Sequence, residues 1–375
     1  MDKNKQIVYI RTSNIYTDSR ATKEIKSLSE NGYHVCVIAW DKKGNAIQKC
    51  NDIFSGHDVE FEFFNFRVSK GIGDNKIKGI VYLICFFMFA LGIMLKKRKD
   101  IEYIHACDLD GGIPAYIFCR NRNIKLIYDI YDYYIDSHSI PGKLKHRVEQ
   151  FEISIINKAD TVIICNEERR QQIYKSNPKK LCVIHNSPEI TEIDINEQEI
   201  YDFAYCGALI DNRLIKEILE QYPEHSNFKI IIAGEGKYED MCMKLDNKYP
   251  NFKYMGPVSY SEVLEIENKS KVMSAIYKPS LRNHKLCAPN KFYEAMGLGK
   301  AIIVCKGTGI DKIVEREKIG LVIPYESDKF YKGLSNLINN NNDRISMREN
   351  SVRIFKEKYE WPIMEKRLLK AYSET

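Results

Sequence analysis

An alternation of strand-like and helix-like segments runs twice along the 375 residues, and it limits the folds open to this chain. Short apolar runs such as residues 7–11 and 34–40 are typical of buried strands, and the segment 20–31 between them has helical periodicity. From residue 203 onward the same alternation begins again. Strands that alternate with helices form parallel sheets with helices on both faces, so we predict an α/β fold.

A polar segment divides the two runs of this pattern. Residues 186–201 read NSPEITEIDINEQEIY and carry no apolar periodicity. We therefore predict an N-terminal domain at 1–190 and a C-terminal domain at 200–355. In open parallel sheets, ligands bind beyond the carboxyl ends of the strands, so polar residues at strand ends are the first candidates for a site.

Charge and cysteine content exclude some classes of function. The net charge is +6, from 57 basic and 51 acidic residues, which suits an anionic ligand but is too weak to indicate nucleic acid. Basic residues are dispersed, and no basic–aromatic motif for single-stranded nucleic acid occurs. The 11 cysteines include no CxxC pair, which favours reduced thiols in the cytoplasm.

One apolar run, residues 79–95, is followed at once by four basic residues. Its length of about 17 residues is at the short limit for a membrane span. A span would place the strands before and after it on opposite sides of the membrane, where they could not share one sheet. Two readings stay open: a buried helix, or a helix lying on the membrane surface through residues 79–99. The candidate membrane contacts are Phe86, Phe87, Phe89, Lys96, Lys97, Arg98 and Lys99.

The second half of the chain resembles a known family. Residues 288–325, APNKFYEAMGLGKAIIVCKGTGIDKIVEREKIGLVIPY, resemble the donor-site segment of the family 4 (group 1) retaining glycosyltransferases. YCGALIDNR at 205–213 and IIIAGEGKYED at 230–240 are similar to other parts of that donor domain. The resemblance implies the GT-B fold, with two Rossmann-like domains facing across a cleft. It also implies that a C-terminal helix at 356–375 crosses back to the N-terminal domain.

The same resemblance implies a set of site residues. Those for donor binding are Gly207, Arg213, Gly234, Gly236, Pro289, Asn290, Lys291, Glu294, Gly307, Thr308 and Gly309. The catalytic set is His105, Arg213, Lys291 and Glu294. Residues at strand ends of the first half, Asp108, Asp110, Asp129 and Asp132, are predicted to lie on the acceptor side.

These residue types suit transfer from a nucleotide sugar. The leaving diphosphate gains negative charge in the transition state, and Arg213, Lys291 and helix N-termini can stabilise it. We therefore expect no cofactor and no metal; the spacing of Asp108 and Asp110 matches a metal motif, but we assign both to the acceptor side. The expected donor is a UDP- or GDP-linked sugar, and the expected acceptor is a lipid-linked or polysaccharide glycan at the inner membrane face.

One departure from the family pattern keeps other functions open. The family has two glutamates separated by seven residues; the second matches Glu294, but Leu286 stands at the position of the first. A catalytically degenerate scaffold protein, or a nucleotide-sugar epimerase on the same fold, are the alternatives. Each site residue also has a structural alternative: Arg213 as a surface salt-bridge residue, for instance, and His105 as a hydrogen-bonded core histidine.

Overall fold

The computed structural model describes residues 6–66, 76–190 and 198–374, so residues 191–197 of the predicted linker lie outside the described part. The chain forms two compact units. The first comprises Met1–His185 and Met364–Thr375, and the second is Asn186–Ile363. The chain thus returns to the first unit at Met364, eight residues after the predicted position 356.

The first unit is built on a parallel sheet with seven strands among the described residues, in the order β3-β2-β1-β4-β5-β6-β7. The strands are β1 (Gln6–Arg11), β2 (His34–Asp41), β3 (Val59–Asn65), β4 (Ile101–Cys107), β5 (Lys125–Ile130), β6 (Thr161–Ile164) and β7 (Leu181–Val183). The helices before the linker are α1 (Ser19–Glu30), α2 (Ala46–Ile53), α3 (Lys76–Lys97), α4 (Asp108–Cys119), α5 (Tyr134–Ser137) and α6 (Gly142–Lys158).

Three of these helices share one face of the sheet. Phe86 of α3, Phe118 of α4 and Ile155 of α6 belong to one hydrophobic cluster with Trp40 and Tyr128 of the strands. Helix α4 contacts both α3 and α6 and so lies between them. This layer matters below, because it leaves the outer sides of α3, α4 and α6 facing away from the sheet.

Helix α3 contains the apolar run noted in the sequence. It is the one helix among the described residues that is long and apolar enough to cross a membrane, by length and composition, and only 17% of its apolar window is buried. The strands on either side of it, β3 and β4, lie in the same parallel sheet. Its inner side packs on that sheet, and Phe86 is fully buried.

The side chains of α3 correct part of the predicted membrane set. Phe86 is buried in the core and cannot contact lipid, and Lys97 bonds to Glu60 of β3 with its Nζ 2.6 Å from Oε2. Phe87 and Phe89 are half-buried and pack against the same core. Lys96, Arg98 and Lys99 are exposed.

The second unit has a parallel sheet with six strands among the described residues, in the order β10-β9-β8-β11-β12-β13. The strands are β8 (Tyr201–Cys206), β9 (Ile230–Ala233), β10 (Phe252–Tyr254), β11 (Ser270–Ala275), β12 (Ala301–Cys305) and β13 (Gly320–Ile323). Its helices are α7 (Ile215–Gln221), α8 (Glu239–Lys248), α9 (Tyr260–Asn268), α10 (Arg282–Lys285), α11 (Asn290–Gly297), α12 (Ile310–Glu317), α13 (Ser327–Asn339) and α14 (Asn341–Ile354). The last helix, α15 (Trp361–Ser373), leads into the first unit. Both units are Rossmann-like, so the predicted α/β fold class is confirmed.

Candidate functional site

The strand order of the second unit reverses between β8 and β11. Strands β9 and β10 follow β8 to one side, whereas β11, β12 and β13 run to the other. Loops leaving the carboxyl ends of such a pair diverge and open a crevice, where α/β proteins bind ligands. Here β8 ends at Cys206 before Gly207, and β11 ends at Ala275 before Ile276 and Tyr277.

Two glycines allow the backbone to pack tightly at this edge. Gly207 has φ of +151° and Gly234 has φ of +139°, which side-chain-bearing residues rarely adopt. A side chain on Gly234 would collide with the carbonyl of Gly207. A side chain on Gly207 would collide with the ammonium group of Lys291. The missing side chain of Gly207 is therefore what makes room for a cation at the end of β8.

Lys291 lies in the first turn of α11, and its Nζ is 5.1 Å from the ring centroid of Tyr205. Burial lowers the pKa of Lys291, but the neighbouring phenols and the carboxyl groups of Glu294 and Glu267 outweigh burial and raise the pKa above its ordinary value. Lys291 is thus charged at neutral pH. Helix α11 begins at the same place, after Pro289, and its first N–H groups add a positive dipole end.

Arg213 follows β8 and is fixed by two contacts. Its guanidinium carbon lies 3.9 Å from the ring centroid of Tyr277, and its Nη1 lies 3.0 Å from Nε2 of His284. Nδ1 of His284 lies 3.1 Å from the carbonyl oxygen of Lys278, which can only accept. His284 therefore carries its proton on Nδ1, and Nε2 accepts from Arg213. The Tyr277 ring thus packs against a guanidinium, a group that can donate to two phosphate oxygens at once.

Glu294 is buried one turn further along α11, with 3% of its surface exposed. The hydroxyl of Tyr260 donates to its Oε1 at 3.0 Å, which fixes the orientation of the carboxylate. A second acid, Glu267 of α9, is fully buried, and neither of its oxygens has a hydrogen-bond partner among the described residues. Burial, and then the charge of Glu294, raise the pKa of Glu267 well above its usual range.

The loop before α11 is held from two sides. The Nδ2 group of Asn186 donates to the carbonyl of Ala288 at 2.7 Å, and Sγ of Cys287 lies 3.5 Å from the carbonyl oxygen of Thr308. Pro289 is buried, whereas Asn290 is exposed at the start of the helix. Leu286, at the position of the missing glutamate, is half-buried immediately before this loop.

The second predicted anion site, at Gly307–Gly309, needs correction. Thr308 is fully buried, and its hydroxyl donates to the carbonyl of Cys305 at 2.6 Å, so its side chain cannot reach a ligand. The N–H of Gly307 donates to Asp311 at 2.6 Å. Because this carboxylate occupies the turn before α12, the N-terminus of α12 is a poor anion site. Gly309 serves as its N-cap, with φ of +80°.

Gly236 also has a structural partner. Its N–H donates to Oε1 of Glu239 at 2.6 Å, in the first turn of α8. The predicted donor residues that converge at the switch point are therefore Gly207, Gly234, Arg213, Lys291 and Glu294, with Pro289 and Asn290 beside them. The sequence reasoning missed Tyr205, Tyr260, Glu267, Tyr277 and His284; the placement of Tyr277 just after a strand is the one signal that could have found it.

The first unit has its own switch point, between β1 and β4, and there His105 must be corrected. His105 is fully buried, and its Nδ1 lies 2.7 Å from the hydroxyl of Tyr372 in α15. Its ring stacks on Tyr9 with centroids 4.4 Å apart. Its Nε2 lies 3.5 Å from Asp129 and 3.7 Å from Glu24. A histidine enclosed in this way is a core residue, and we remove it from the catalytic set.

Two of the predicted acceptor-side aspartates are structural as well. Asp129 is fully buried and accepts two bonds of 2.9 Å from Nη2 of Arg20. Burial raises its pKa, but Arg20 and His105 overcome this and the net pKa is lowered. Asp108 pairs with Arg11 and accepts the backbone N–H of Tyr131 at 2.9 Å.

The other two acceptor-side candidates lie nearer the surface. Asp132 is exposed and pairs with Arg169 at 3.0 Å. Asp110 is half-buried, with the hydroxyl of Thr12 at 3.4 Å. The sequence reasoning missed Arg11 and Arg20, whose guanidinium groups lie 3.9 and 4.8 Å from the ring of Tyr131. Arg11 and Arg20 also have nearby partners, Asp18 and Glu24, but their pairing with Asp108 and Asp129 joins residues about 100 positions apart and leaves no local pattern.

Glu24, His105 and Asp129 form a group that could be mistaken for a metal site. Their ligand atoms lie within 4.8 Å of one another, and all three residues are buried. The guanidinium of Arg20, however, binds Asp129 and lies 3.0 Å from Oε1 of Glu24. A divalent cation would have to share the two carboxylates with this fixed positive charge, so the donor set does not fit a metal.

The chain is similar to known glycosyltransferases in part of its sequence and in its fold. Residues 202–340 match the family model described as glycosyl transferases group 1. A relative from Methanocaldococcus jannaschii, described as an uncharacterized glycosyltransferase, is 26% identical over 227 residues, which cover 55% of this chain and 56% of that protein. The match thus spans little more than half of the archaeal relative.

Solved structures resemble the chain over nearly its full length. Sucrose-phosphate synthase from Thermosynechococcus elongatus aligns with a TM-score of 0.70 at 11% identity, covering 99% of both chains. HepE from Anabaena in complex with UDP aligns with a TM-score of 0.69 at 13% identity, covering 99% of this chain and 100% of that one. S. aureus TarM in complex with Fondaparinux, alpha-GlcNAc-glycerol and UDP aligns with a TM-score of 0.69 at 12% identity, covering 98% and 99%.

At such low identity these structures show the fold alone, and the family model covers the unit that carries the candidate site. The family model thus matches residues 202–340 within the second unit, and the chain as a whole has the GT-B fold.

Proposed function

We propose that this protein is a retaining glycosyltransferase that moves a sugar from a nucleotide-diphosphate sugar to a lipid-linked or polysaccharide acceptor in cell-surface glycan biosynthesis. The observation that carries the proposal is the convergence of Arg213, Lys291 and Glu294 on the switch point of the group 1 domain. Two neighbours of similar fold have been solved with UDP, and HepE also with UDP-glucose, which supports a uridine donor for this chain as well.

The residues at the switch point have separate tasks in this mechanism. Departure of the nucleoside diphosphate places negative charge on the β-phosphate, and the stabilising groups must already be in place. Lys291 supplies a charged ammonium above Gly207, and the first N–H groups of α11 point the same way. Arg213, packed against Tyr277, supplies guanidinium donors to the phosphate oxygens. These fixed positive groups provide the stabilisation without a metal.

Glu294 is assigned to the nucleoside. A carboxylate accepts hydrogen bonds from vicinal hydroxyl groups, and the ribose of a nucleotide sugar offers two. Tyr260 holds the Glu294 carboxylate in one orientation, which lowers the cost of binding. The sugar itself is held without the family's first glutamate, because Leu286 stands there. We infer that backbone groups of residues 287–290 contact it instead.

The stereochemical course and the setting complete the proposal. Among the described carboxylates at the switch point, Glu294 is assigned to the nucleoside and Glu267 is fully buried. We therefore infer that the leaving phosphate takes the proton of the acceptor hydroxyl on the same face of the sugar. The bond from the anomeric carbon to phosphate oxygen breaks as the bond to the acceptor oxygen forms. A lipid-linked acceptor places the enzyme in the cytoplasm, on the inner face of the membrane.

The test is a thermal-shift series with UDP, GDP, ADP, CMP and dTDP on the wild type and on Lys291→Met, Arg213→Met and Glu294→Gln. A nucleotide at 100 times its dissociation constant stabilises its protein by about 2.7 kcal/mol. Removing one charge-assisted contact costs about 1.5–3 kcal/mol of binding, or roughly 10- to 150-fold in affinity. Exposed Glu265 in the same unit gives the matched control Glu265→Gln, which we expect to bind like the wild type.

Stabilisation by one nucleotide, lost in the three variants and kept in the control, supports the donor site as assigned. Stabilisation by none of the five contradicts it. Hydrolysis of the corresponding nucleotide sugar then separates an enzyme from the second candidate, a degenerate GT-B protein acting as a scaffold. Leu286 is the observation that favours the second candidate, and a protein that binds the nucleotide without hydrolysing or transferring its sugar would bear it out.

A further inference from the structure

Exposed apolar side chains of the first unit are concentrated on one side. Eleven large hydrophobic residues are exposed among its described residues, and eight of them lie on α3, α4 and α6. The eight are Ile80, Val81, Ile84, Met88, Leu95, Ile117, Leu144 and Phe151. Because these three helices cover the same face of the sheet, with α4 in the middle, the outward residues belong to one side of the molecule.

Helix α3 contributes an apolar stripe to this side. Ile84 is 53% exposed and Met88 is 65% exposed, one turn apart, while Phe86, Ala90 and Met94 between and beyond them are fully buried. The helix therefore covers the sheet with one side and presents an apolar surface to solvent with the other. An amphipathic core helix would carry polar residues there.

Helix α6 adds a basic and apolar segment. Its first residues, Lys143, Leu144, Lys145, His146 and Arg147, are all exposed, and Phe151 follows one turn later. A surface helix normally buries part of its first two turns, so this stretch is unusual in facing solvent throughout. Exposed basic residues beside the exposed apolar side chains of Leu144 and Phe151 are typical of helices that lie at a membrane surface.

The acidic residues of the three helices are turned away from this side. Helix α3 has none among its residues, and none of the four acids on α4 and α6 is exposed. Glu152 is buried, and Glu149 pairs with Lys175 at 2.8 Å. At the end of α3 three exposed basic residues, Lys96, Arg98 and Lys99, are followed by one exposed acidic residue, Asp100. The surface is thus apolar with a positive border at two places.

We propose that the exposed sides of α3, α4 and α6 form a docking surface for an anionic lipid bilayer. The apolar stripe of α3 enters the boundary between head groups and acyl chains, and the bases of α6 and of the end of α3 contact lipid phosphates. This surface includes α6, which the sequence did not suggest, and it leaves out Phe86 and Lys97. The docking surface rests on the proposed function in one respect only: an enzyme that acts on a lipid-linked acceptor must reach the membrane surface.

Co-sedimentation with lipid vesicles tests the docking surface independently of donor or acceptor. We expect the full chain to sediment with vesicles of phosphatidylcholine and phosphatidylglycerol, and far less with phosphatidylcholine alone. Raising NaCl from about 0.1 M to about 1 M shortens the Debye length from about 10 Å to about 3 Å and should weaken binding. The pair Lys145→Glu and Arg147→Glu should lower vesicle affinity at least about 25-fold, because the loss of each base alone costs about fivefold and each new carboxylate is repelled by the anionic surface.

The pair Ile84→Glu and Met88→Glu should abolish binding at either salt concentration. Ile47→Glu is the apolar control, because Ile47 is 52% exposed but lies on α2. Lys329→Glu with Lys332→Glu, both exposed on α13, is the charge control. All variants alter exposed residues, so their melting temperatures should match the wild type.

The proposal is overturned if the wild type does not sediment with anionic vesicles. It is also overturned if the double variant Ile84→Glu with Met88→Glu binds them as the wild type does. A dimer in gel filtration that this pair dissociates, without vesicle binding, assigns the surface to a second copy instead. Since nucleotide thermal shifts are measured without lipid, failure of the docking surface and failure of the proposed function are separate results.

Discussion

Arg20→Met is the substitution whose effect the structure defines most sharply. Arg20 is 4% exposed, and its Nη2 lies 2.9 Å from both oxygens of Asp129. Its Nε lies 3.0 Å from Glu24, and its Nη1 donates to the carbonyl of Ile184 at 2.7 Å. Methionine keeps most of the aliphatic packing and removes the charge and the donors.

The expected loss of stability follows from the two buried carboxylates that the substitution leaves in place. Asp129 and Glu24 are both fully buried, and the variant leaves them without their cation. Breaking a buried ion pair by removing one partner costs about 3–5 kcal/mol. For a unit of this size, 1 kcal/mol corresponds to about 2–4 °C, so the melting temperature should fall by roughly 6–20 °C.

The pH dependence gives a second reading of the same variant. In the wild type the pKa of Asp129 is lowered, with burial raising it and Arg20 lowering it more. Without Arg20, burial dominates and the folded pKa lies above the unfolded one. A raised carboxyl pKa means that stability is present at low pH and is lost as pH rises through the folded pKa. The variant should therefore be closest to the wild type near pH 4 and fall further below it toward pH 8.

Urea denaturation followed by circular dichroism measures these differences. Lys179→Met is the matched control, because Lys179 pairs with Asp160 at 2.8 Å but is 54% exposed, and its loss should cost less than about 1 kcal/mol. The double variant Arg20→Met with Asp129→Asn should recover part of the loss. A cost for Arg20→Met as small as that of the control, or one that does not vary with pH, refutes the reasoning.

Three further predictions address other parts of the molecule. Gly207→Ala should weaken nucleotide binding, because the new side chain displaces the Lys291 ammonium. Gly256→Ala is the control: Gly256 has φ of +66° and no atoms within 4 Å of an added Cβ, so this substitution should cost about 1 kcal/mol of stability and no affinity. Calorimetric titration with UDP compares the two variants. Burial raises the pKa of Glu152 to about 8, so the stability of the wild type falls as pH rises toward and through that value. The free energy of unfolding of Glu152→Gln, measured in urea, should therefore rise relative to that of the wild type by roughly 2–3 kcal/mol from pH 6 to pH 9. A difference that does not vary with pH contradicts this prediction. Tyr372→Phe removes the 2.7 Å bond to buried His105 and should destabilise the first unit by about 1–3 kcal/mol, and no loss in thermal unfolding would show that bond to be unimportant.

The sequence was sufficient for the fold class, and it was the basis for the proposed donor-site segment. Strand and helix periodicities are local properties, because they follow from side chains two or four residues apart. The alternation therefore indicated two parallel sheets, and both are present. Lys291 and Glu294 could be proposed together because they lie one turn apart on α11, within one continuous segment.

The tertiary structure decided which strand-end residues are buried. His105, Asp129 and Asp108 lie at or near the carboxyl ends of strands, where a sequence pattern predicts an accessible site. Arg20 reaches Asp129 from 109 residues away, and Tyr372 reaches His105 from 267 residues away. Partners at such distances leave no periodic signal, so the sequence could not separate an enclosed ion-pair network from an acceptor site.

The apolar run at 79–95 shows the same division of information. Composition alone determined that this segment would form a long apolar helix with a basic end. It could not determine which side of the helix packs on the sheet, because the whole circumference is apolar and no hydrophobic stripe is distinguished from the rest. Burial of Phe86, Ala90 and Met94 sets the rotation of α3, and only that rotation leaves Ile84 and Met88 exposed.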